Sequence, residues 1–308
     1  VHSSKCIIVE EVEEFNKGSL GGKGISGSEQ TVKNHHKNSQ TSDKKNFQSF
    51  KSKRENRSML DDGSVIDIMV LYTAKSVERA GSEAELQALI ASKLTWVNKA
   101  LKNSLIDFKL QLVYWQQIDY EEDGDMSNTL FTLSQDSDIT ELRSLVGADL
   151  VLFISDDYAL NPQYCNYSYN PQSTELNALW GFSVLDINCI LNFYEQFPVG
   201  LGLNMGCSFD YEYSSKDREL EYAYAYQSSD CSFYTAISSP CTDGVQIPYF
   251  SSPNFKWVEN GEVIGNASSA DCSRVLNDNR IKVSQYLNTS YEWDTLYTPS
   301  PTISPNPI

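Results

Sequence analysis

The sequence predicts an α/β (α+β) fold in which helices cover a mostly parallel sheet. Three short strand-like stretches support this prediction, because each is rich in the apolar and aromatic residues that favour strands: 66–72, 108–115 and 148–154. Helical periodicity occupies 83–104 and the neighbourhood of 138–146, between those stretches. Strands and helices that alternate in this order build parallel strands connected by crossover helices.

The longest predicted helix, 83–104, has its apolar residues at three- and four-residue steps. Glu85 near its start and Lys102 near its end match the helix dipole. After residue 160 the chain becomes rich in Tyr, Ser, Asn and Cys, and only 181–185 has the pattern of a further strand. This part is therefore expected to be an irregular, Cys-rich C-terminal subdomain.

Composition divides the chain of 308 residues into three parts. Residues 1–60 form a polar, low-complexity segment with 11 basic and 7 acidic residues, whereas the rest of the chain has 13 and 34. Residues 61–290 hold the apolar patterns and are the predicted folded domain, and 291–308 are a tail rich in Pro, Ser and Thr. The basic run at 51–54 is either a processing site or part of a solvated linker.

Charge, hydropathy and cysteines indicate where the protein works. The net charge of −17 makes nucleic acid an unexpected partner, because an acidic surface repels phosphate. No apolar run reaches the ~18 residues of a membrane helix, so no membrane span is expected. Six of the seven cysteines lie in the C-terminal half without a C-x-x-C pair, which favours disulfides. With its Asn-x-Ser/Thr sequons, the chain is predicted to be a secreted or cell-surface glycoprotein; the sequons are at Asn56, Asn166, Asn266 and Asn288.

A short motif adds a family resemblance. Residues 204–210 read Asn-Met-Gly-Cys-Ser-Phe-Asp and resemble the end of the metzincin zinc signature, H-E-x-x-H-x-x-G-x-x-H-D. The resemblance implies a metzincin-like twisted sheet and a disulfide between Cys165 and Cys189, which bracket the segment before the active-site helix. Further stretches along 64–288 are similar to secreted, reprolysin-like metzincins in the same order: 66–72, 149–154, 182–189, 247–254 and 266–287.

The residues that carry the family's chemistry are missing from this chain. Aligned on the signature, the first His, the Glu, the second His and the third His are replaced by Val199, Gly200, Leu203 and Phe209. Ile237 falls at the methionine that lies beneath the zinc. The motif residues that shape the backbone are kept: Gly202, Asn204, Gly206 and Asp210. The chain's three histidines all lie in the N-terminal segment, so no zinc is expected and no catalytic residue is assigned: His2, His35 and His36.

The same substitutions predict how this region folds. An apolar cluster should stand where the metal would sit, since burying each such side chain is worth ~1.5–3 kcal/mol. Pro198, Gly200 and Gly202 should break the helix or make it begin at Pro198. The four side chains expected in the cluster are Val199, Leu203, Phe209 and Ile237.

The expected function is that of an inactive metallopeptidase-like domain, which binds an unknown protein or glycan or has a structural role. One alternative is an active zinc metalloendopeptidase with non-standard ligands, drawn from Glu195, Cys207 or Asp210. The other is a calcium-stabilised matrix or glycan-binding module, since the acidic residues at 119–125 could hold Ca²⁺, although a solvated loop is the simpler interpretation. An alternating tyrosine row could stack sugars or simply pack: Tyr222, Tyr224 and Tyr226.

Overall fold

A computed structural model describes residues 5–9, 62–156, 164–192, 196–210, 220–241 and 243–287. Its strands are β1 (Lys5–Val9), β2 (Val65–Tyr72), β3 (Lys109–Gln117), β4 (Leu150–Ser155), β5 (Tyr164–Tyr169), β6 (Phe182–Asp186), β7 (Phe233–Tyr234) and β8 (Val245–Gln246). Its helices are α1 (Ala74–Ala80), α2 (Glu83–Asn103), α3 (Met126–Gln135), α4 (Ser137–Val146), α5 (Ile187–Asn192), α6 (Phe197–Asn204) and α7 (Cys272–Val283). The tail at 291–308 and the basic run at 51–54 lie outside the described residues.

Six strands form the main sheet in the order β1-β5-β6-β4-β2-β3. The pairs β2/β3, β2/β4 and β4/β6 are parallel, whereas β5 runs antiparallel to β6. Strand β1 pairs parallel with the outer side of β5. The predicted fold class, a mostly parallel sheet with covering helices, is therefore confirmed.

The central strands are mostly apolar and buried along nearly their whole length because helices cover both faces of the sheet. Ile68 and Val70 of β2 point into a cluster that includes the buried faces of α2, α6 and α7. Met69 and Leu71 point to the opposite face and pack with α3 and α4. Because successive residues of a strand point to opposite faces, β2 contributes side chains to both apolar clusters.

Helix α2 forms where its periodicity predicts it. Ser82 caps the first turn by accepting a hydrogen bond from the Glu85 amide at 3.2 Å. Helix α3 follows the acidic loop at 119–125 and is not among the predicted elements. Asp125 of that loop caps α3 by accepting from the amides of Ser127 and Asn128.

Three local features refine or add to the sequence predictions. The tyrosine row at 222–226 forms isolated bridges, with Tyr224 buried in the core and Tyr222 and Tyr226 partly exposed, which fits the simple packing alternative. The C-terminal helix ends at Val283, where Ser284 caps it, four residues before the end of the family-like stretch at 266–287. The N-terminal segment supplies β1, which no sequence pattern had indicated.

The C-terminal subdomain is irregular, as predicted, and cysteines tie it together. Beyond α6 the described residues contain only the two-residue strands β7 and β8 and the helix α7. Disulfides join Cys207 to Cys272 and Cys231 to Cys241, and a third links β5 to α5. No helix in the described part of the chain is long and apolar enough to cross a membrane.

A buried arginine, Arg143, lies at the end of the sheet where β4 begins. The Arg143 guanidinium donates hydrogen bonds to the carbonyl oxygens of Ala148, Asp149 and Ala178. It also stacks on the Phe182 ring at 4.8 Å. Burial lowers the pKa of this guanidinium to about 10, and the nearby Asp149 carboxylate opposes that shift.

Candidate functional site

Helix α6 holds most of the positions where the zinc signature would stand. All eight of its residues, Phe197–Asn204, are buried. It begins one residue before Pro198, so that proline occupies the first turn, where its missing N–H costs no helical hydrogen bond. Of the two predicted alternatives, the helix is not broken and instead begins within one residue of Pro198, and Gly200 and Gly202 lie where α6 packs closely against neighbouring elements.

The three positions of the missing histidines meet in one small apolar cluster. Val199 and Leu203 are one helical turn apart, which places them on the same face of α6. Phe209 joins them after the chain turns at Gly206, whose φ of +94° favours glycine. None of the three side chains is more than 2% exposed.

Ile237 is also buried, but it belongs to the main core and not to that cluster. Its Cγ2 atom lies 2.9 Å from the point where a Cβ on Gly202 would stand. Ile237 therefore packs directly on the helix backbone through the space that Gly202 leaves open. Of the four side chains expected to form one cluster, the structure brings three together: Val199, Leu203 and Phe209.

Gly200 occupies the position of the signature glutamate. A Cβ on Gly200 would lie 2.9 Å from both Cβ and Oγ of Ser183 and 3.0 Å from Nδ2 of Asn166. Real Cβ atoms almost never approach neighbours this closely, so β5 and β6 leave no space for a side chain here. The position of the general base is closed by the side chains of Ser183 and Asn166 as well as lost by substitution.

Asp210 holds the turn that carries Ile237. Its carboxylate accepts hydrogen bonds from Ser238 Oγ at 2.6 Å and from the Ser239 amide at 2.7 Å. Burial raises the pKa of Asp210, and the bonds from Ser238 and Ser239 oppose that rise. Asp210 is thus a structural link between two segments and is not directed at an open site.

Asn204 fixes the end of α6 to the sheet. Its Nδ2 donates to the carbonyl oxygens of Tyr169 and Phe182, at 2.8 and 2.9 Å. Its Oδ1 accepts from Ser183 Oγ at 2.7 Å. The Asn204 side-chain amide is completely buried, and both its nitrogen and its oxygen are hydrogen-bonded. This retained motif residue therefore has a structural role.

The donor groups do not fit a zinc ion. In the described part of the chain no three His, Cys, Asp or Glu side chains lie together as a metal site requires. Of the alternative ligands, Cys207 is in a disulfide and Asp210 bonds the 238–239 turn. Glu195 lies outside the described residues.

The acidic loop at 119–125 uses its carboxylates within the protein. The side chain of Glu122 is only 2% exposed, accepts from Thr73 Oγ1 and lies 3.1 Å from the Lys75 ammonium. Asp123 accepts from Asn128, and Asp125 caps α3. These carboxylates point to different partners and do not converge on one cation.

The cysteine and sequon predictions have mixed outcomes. Cys165 pairs with Cys189, the disulfide that the resemblance implied. Asn166, a predicted glycosylation position, is completely buried on β5 beside Gly200 of α6, so this fold leaves no room for a glycan there. Asn266 is exposed in a turn. Asn56 and Asn288 lie outside the described residues.

Sequence reasoning missed a polar cluster at the end of the sheet where β4 and β6 finish. Asn188 donates from its side chain to Asp156 and from its backbone to Asp186. Asp156 also pairs with Arg79 at 2.8 Å. Asp186 is completely buried, and its Oδ2 has no hydrogen-bond partner. The available sequence signal was an acidic residue at the end of each of two buried strands, since Asp156 follows β4 and Asp186 is the last residue of β6.

Replacing Asp186 with asparagine is expected to stabilise the fold at neutral pH. Burial raises the pKa of Asp186 to about 6 from its ordinary 3.8, and the Asp156 carboxylate adds to the rise. Because the folded-state pKa is the higher one, the stability that Asp186 contributes is complete below about pH 4 and is lost as the pH rises through 6. Two units correspond to about 3 kcal/mol, an upper estimate for the gain of D186N at pH 8.

Urea unfolding at pH 4 and pH 8 measures this difference. The gain of D186N should be largest at pH 8 and should vanish near pH 4. The matched control is D278N, at an exposed position on α7. A D186N variant whose stability follows the wild type in parallel across this range would contradict the assignment.

Comparisons with known proteins agree with the motif. No protein-family model matches the chain. It is 24% identical over 243 residues to a peptidyl-Asp metalloendopeptidase of Pseudomonas aeruginosa, and 24% identical over 230 residues to one of Xanthomonas campestris pv. campestris. Each match covers 73% of this chain, but the chain spans only 40% and 52% of the length of these relatives.

A structural likeness supports the fold alone. A solved structure described as a chaperone–substrate complex superimposes with a TM-score of 0.58 at 17% identity, over 74% of this chain and 40% of that chain. The metalloproteinase-II of Bacteroides fragilis gives a TM-score of 0.39 at 11% identity, over 66% of this chain and 57% of that chain, which is too low to carry an argument. The sequence likeness to the two peptidyl-Asp metalloendopeptidases supports a metallopeptidase-like fold.

Proposed function

We propose that this chain is a catalytically inactive, metallopeptidase-like domain of an extracellular protein, and that it binds a partner instead of cleaving one. The observation that carries the proposal is the packing of α6. Val199, Leu203 and Phe209 fill the positions of the metal ligands with apolar side chains, and Gly200 leaves no space for a base.

The chemistry of peptide hydrolysis explains why this packing argues against catalysis. A zinc peptidase needs nitrogen or oxygen ligands around the metal and a carboxylate that activates the bound water. Apolar side chains offer neither, and a buried site without polar partners would penalise any charge brought into it. Three disulfides favour an oxidising, extracellular environment. The exposed Asn266 sequon is the described position at which a glycan fits.

Metal analysis and a protease assay test the proposal together. Purified full-length chain should contain well below one zinc per chain after exposure to excess zinc and desalting. Because the relatives are named for peptidyl-Asp cleavage, the assay should include peptides with aspartate at each position. No chelator-sensitive cleavage is expected.

The bacterial peptidyl-Asp metalloendopeptidase assayed in parallel is the positive control. Stoichiometric zinc together with cleavage that stops on adding a chelator would overturn the proposal. That result would favour an active enzyme whose ligands include residues outside the described part of the chain.

A further inference from the structure

The three disulfides in the described part of the chain differ in their exposure to solvent. In the Cys231–Cys241 pair, Cys231 is partly exposed and Cys241 is 8% exposed. The cysteines of the other two disulfides are completely buried: Cys165, Cys189, Cys207 and Cys272. Because a thiol reductant must reach a sulfur atom before it can exchange with it, the Cys231–Cys241 disulfide is the one that such a reductant attacks first.

The backbone at Cys231 has an uncommon conformation. Its φ of +61° lies in the left-handed region, which residues with a Cβ rarely adopt. The turn around it is tight, since the Cys231 amide donates a hydrogen bond to the Ser228 carbonyl at 3.0 Å. Such conformations persist only where the surrounding structure imposes them, and the bond to Cys241 is one of the constraints here. Breaking that bond therefore lets Cys231 relax.

Gln227 makes the two sulfur atoms of this disulfide unequal. Its Nε2 donates a hydrogen bond to Cys241 Sγ. A disulfide sulfur is a weak acceptor, whereas a thiolate is charged and accepts a stronger bond. The donor thus favours Cys241 as the sulfur that leaves as a thiolate, and a more stable leaving thiolate departs faster. Cys231, the more exposed of the two, is then the sulfur that an incoming thiolate attacks.

We propose that the Cys231–Cys241 disulfide is a reversible thiol-exchange site for a dithiol reductant, and that Gln227 is a positioning residue for the leaving sulfur. One thiolate of the reductant bonds to Cys231 Sγ, the bond between the two protein sulfurs breaks, and Cys241 leaves as a thiolate that takes a proton from water. The second thiol of the reductant loses its proton and displaces Cys231, which closes the disulfide of the reductant. The dithiol is oxidised, and the protein gains two electrons and two protons.

Reduction has a structural consequence, because the ring closed by the disulfide carries β7. Strands β7 and β8 have two residues each, which is too short a pair to be stable by itself. Two amides on the β8 side mark this pairing: Val245 donates to the Ser232 carbonyl at 3.1 Å and Ile247 to the Tyr234 carbonyl at 2.9 Å. Opening the ring should let β7 and β8 separate more often, so the disulfide acts as a switch for this part of the subdomain.

Differential alkylation of the full-length chain tests the exchange. Free thiols are first blocked with N-ethylmaleimide, dithiothreitol is added, and the thiols that appear are labelled with iodoacetamide and located by peptide mass spectrometry. Cys231 and Cys241 should be labelled about tenfold faster than the four buried cysteines, and oxidised glutathione should restore their disulfide. Equal rates for all three disulfides, or a slower rate for Cys231–Cys241, overturn the inference.

The variant Q227M tests the positioning role, because methionine keeps the length of the side chain and removes the donor. Reduction of Cys231–Cys241 should become about fivefold slower. A glutamine with only a structural role would give the opposite result, since a loosened turn exposes the disulfide. The control Q246M removes a side-chain bond to the Ala236 carbonyl and should leave the rate unchanged. A Q227M rate at or above that of the wild type, with a matching near-UV circular dichroism spectrum, overturns the role of Gln227. The comparison of the three wild-type disulfides still decides the inference if Q227M does not fold.

Hydrogen exchange tests the switch. In dithiothreitol, the amides of Val245 and Ile247 should exchange about tenfold faster than in the oxidised protein, whereas those of β2 should not change. Unchanged protection of Val245 and Ile247 after reduction overturns the switch. These results are independent of the proposed function: a chain that fails them and contains no zinc keeps that function, and one that passes them but cleaves peptides with bound zinc loses it.

Discussion

Replacing Gly200 with glutamate, the residue of the zinc signature, is expected to destabilise the domain by about 3 kcal/mol or more. Overpacking a core costs about 1–3 kcal/mol. A carboxylate without a partner adds the cost of burying a charge, or of protonating it. Both penalties apply at Gly200, because the space above it is filled by Ser183 and Asn166.

Urea unfolding of G200E measures this loss, and G200A separates its two parts. The alanine variant has the steric conflict without the charge, so it should fall between the wild type and G200E. The control S144E adds the same side chain at an exposed position on α4 and should change stability by less than about 0.5 kcal/mol. A G200E variant as stable as the wild type would show that α6 can move away from the sheet.

Replacing Arg143 with methionine is expected to cost about 3–5 kcal/mol, as for other buried charges that lose their partner. Methionine fills a similar volume but donates no hydrogen bond. The carbonyl oxygens of Ala148, Asp149 and Ala178 would each lose their bond from the guanidinium. The buried Asp149 carboxylate would also lose the neighbouring positive charge.

Thermal and urea unfolding measure this effect, with R274M as the matched control. Arg274 also lies over an aromatic ring, Tyr222, at 4.2 Å, but its side chain is 54% exposed. Its loss should cost less than about 1 kcal/mol. If the two methionine variants lose similar stability, Arg143 is not the centre of a buried network.

Much of the sheet could be predicted from the sequence because its signals are local. The apolar run of β2 and the periodicity of α2 each reflect which of their residues are buried, and both patterns can be recognised within a short stretch of sequence. The resemblance to the zinc signature indicated Val199, Leu203 and Phe209, and the spacing of the first two places them on one helix face. Their burial together in the structure fits that spacing.

Other features depend on distant partners and left no local signal. β1 forms only because β5 offers an edge, and five residues of apolar chain do not reveal that partner. Asp186 carries no sequence mark of its burial. Ile237 was expected beside the ligand positions, but the sequence could not show that Gly202 opens a path to the opposite side of the helix.

The seven residues from Asn204 to Asp210 carry three cross-links to different parts of the chain. Asn204 is tied to β6, Cys207 to α7 and Asp210 to the 238–239 turn. Local opening of this segment must break contacts in all three places at once, so it can open only with the cooperative unfolding of the domain. Lids and ligand-binding loops are drawn from the segments that open most easily. This segment lies at the other extreme, and any recognition by this domain must involve a different surface.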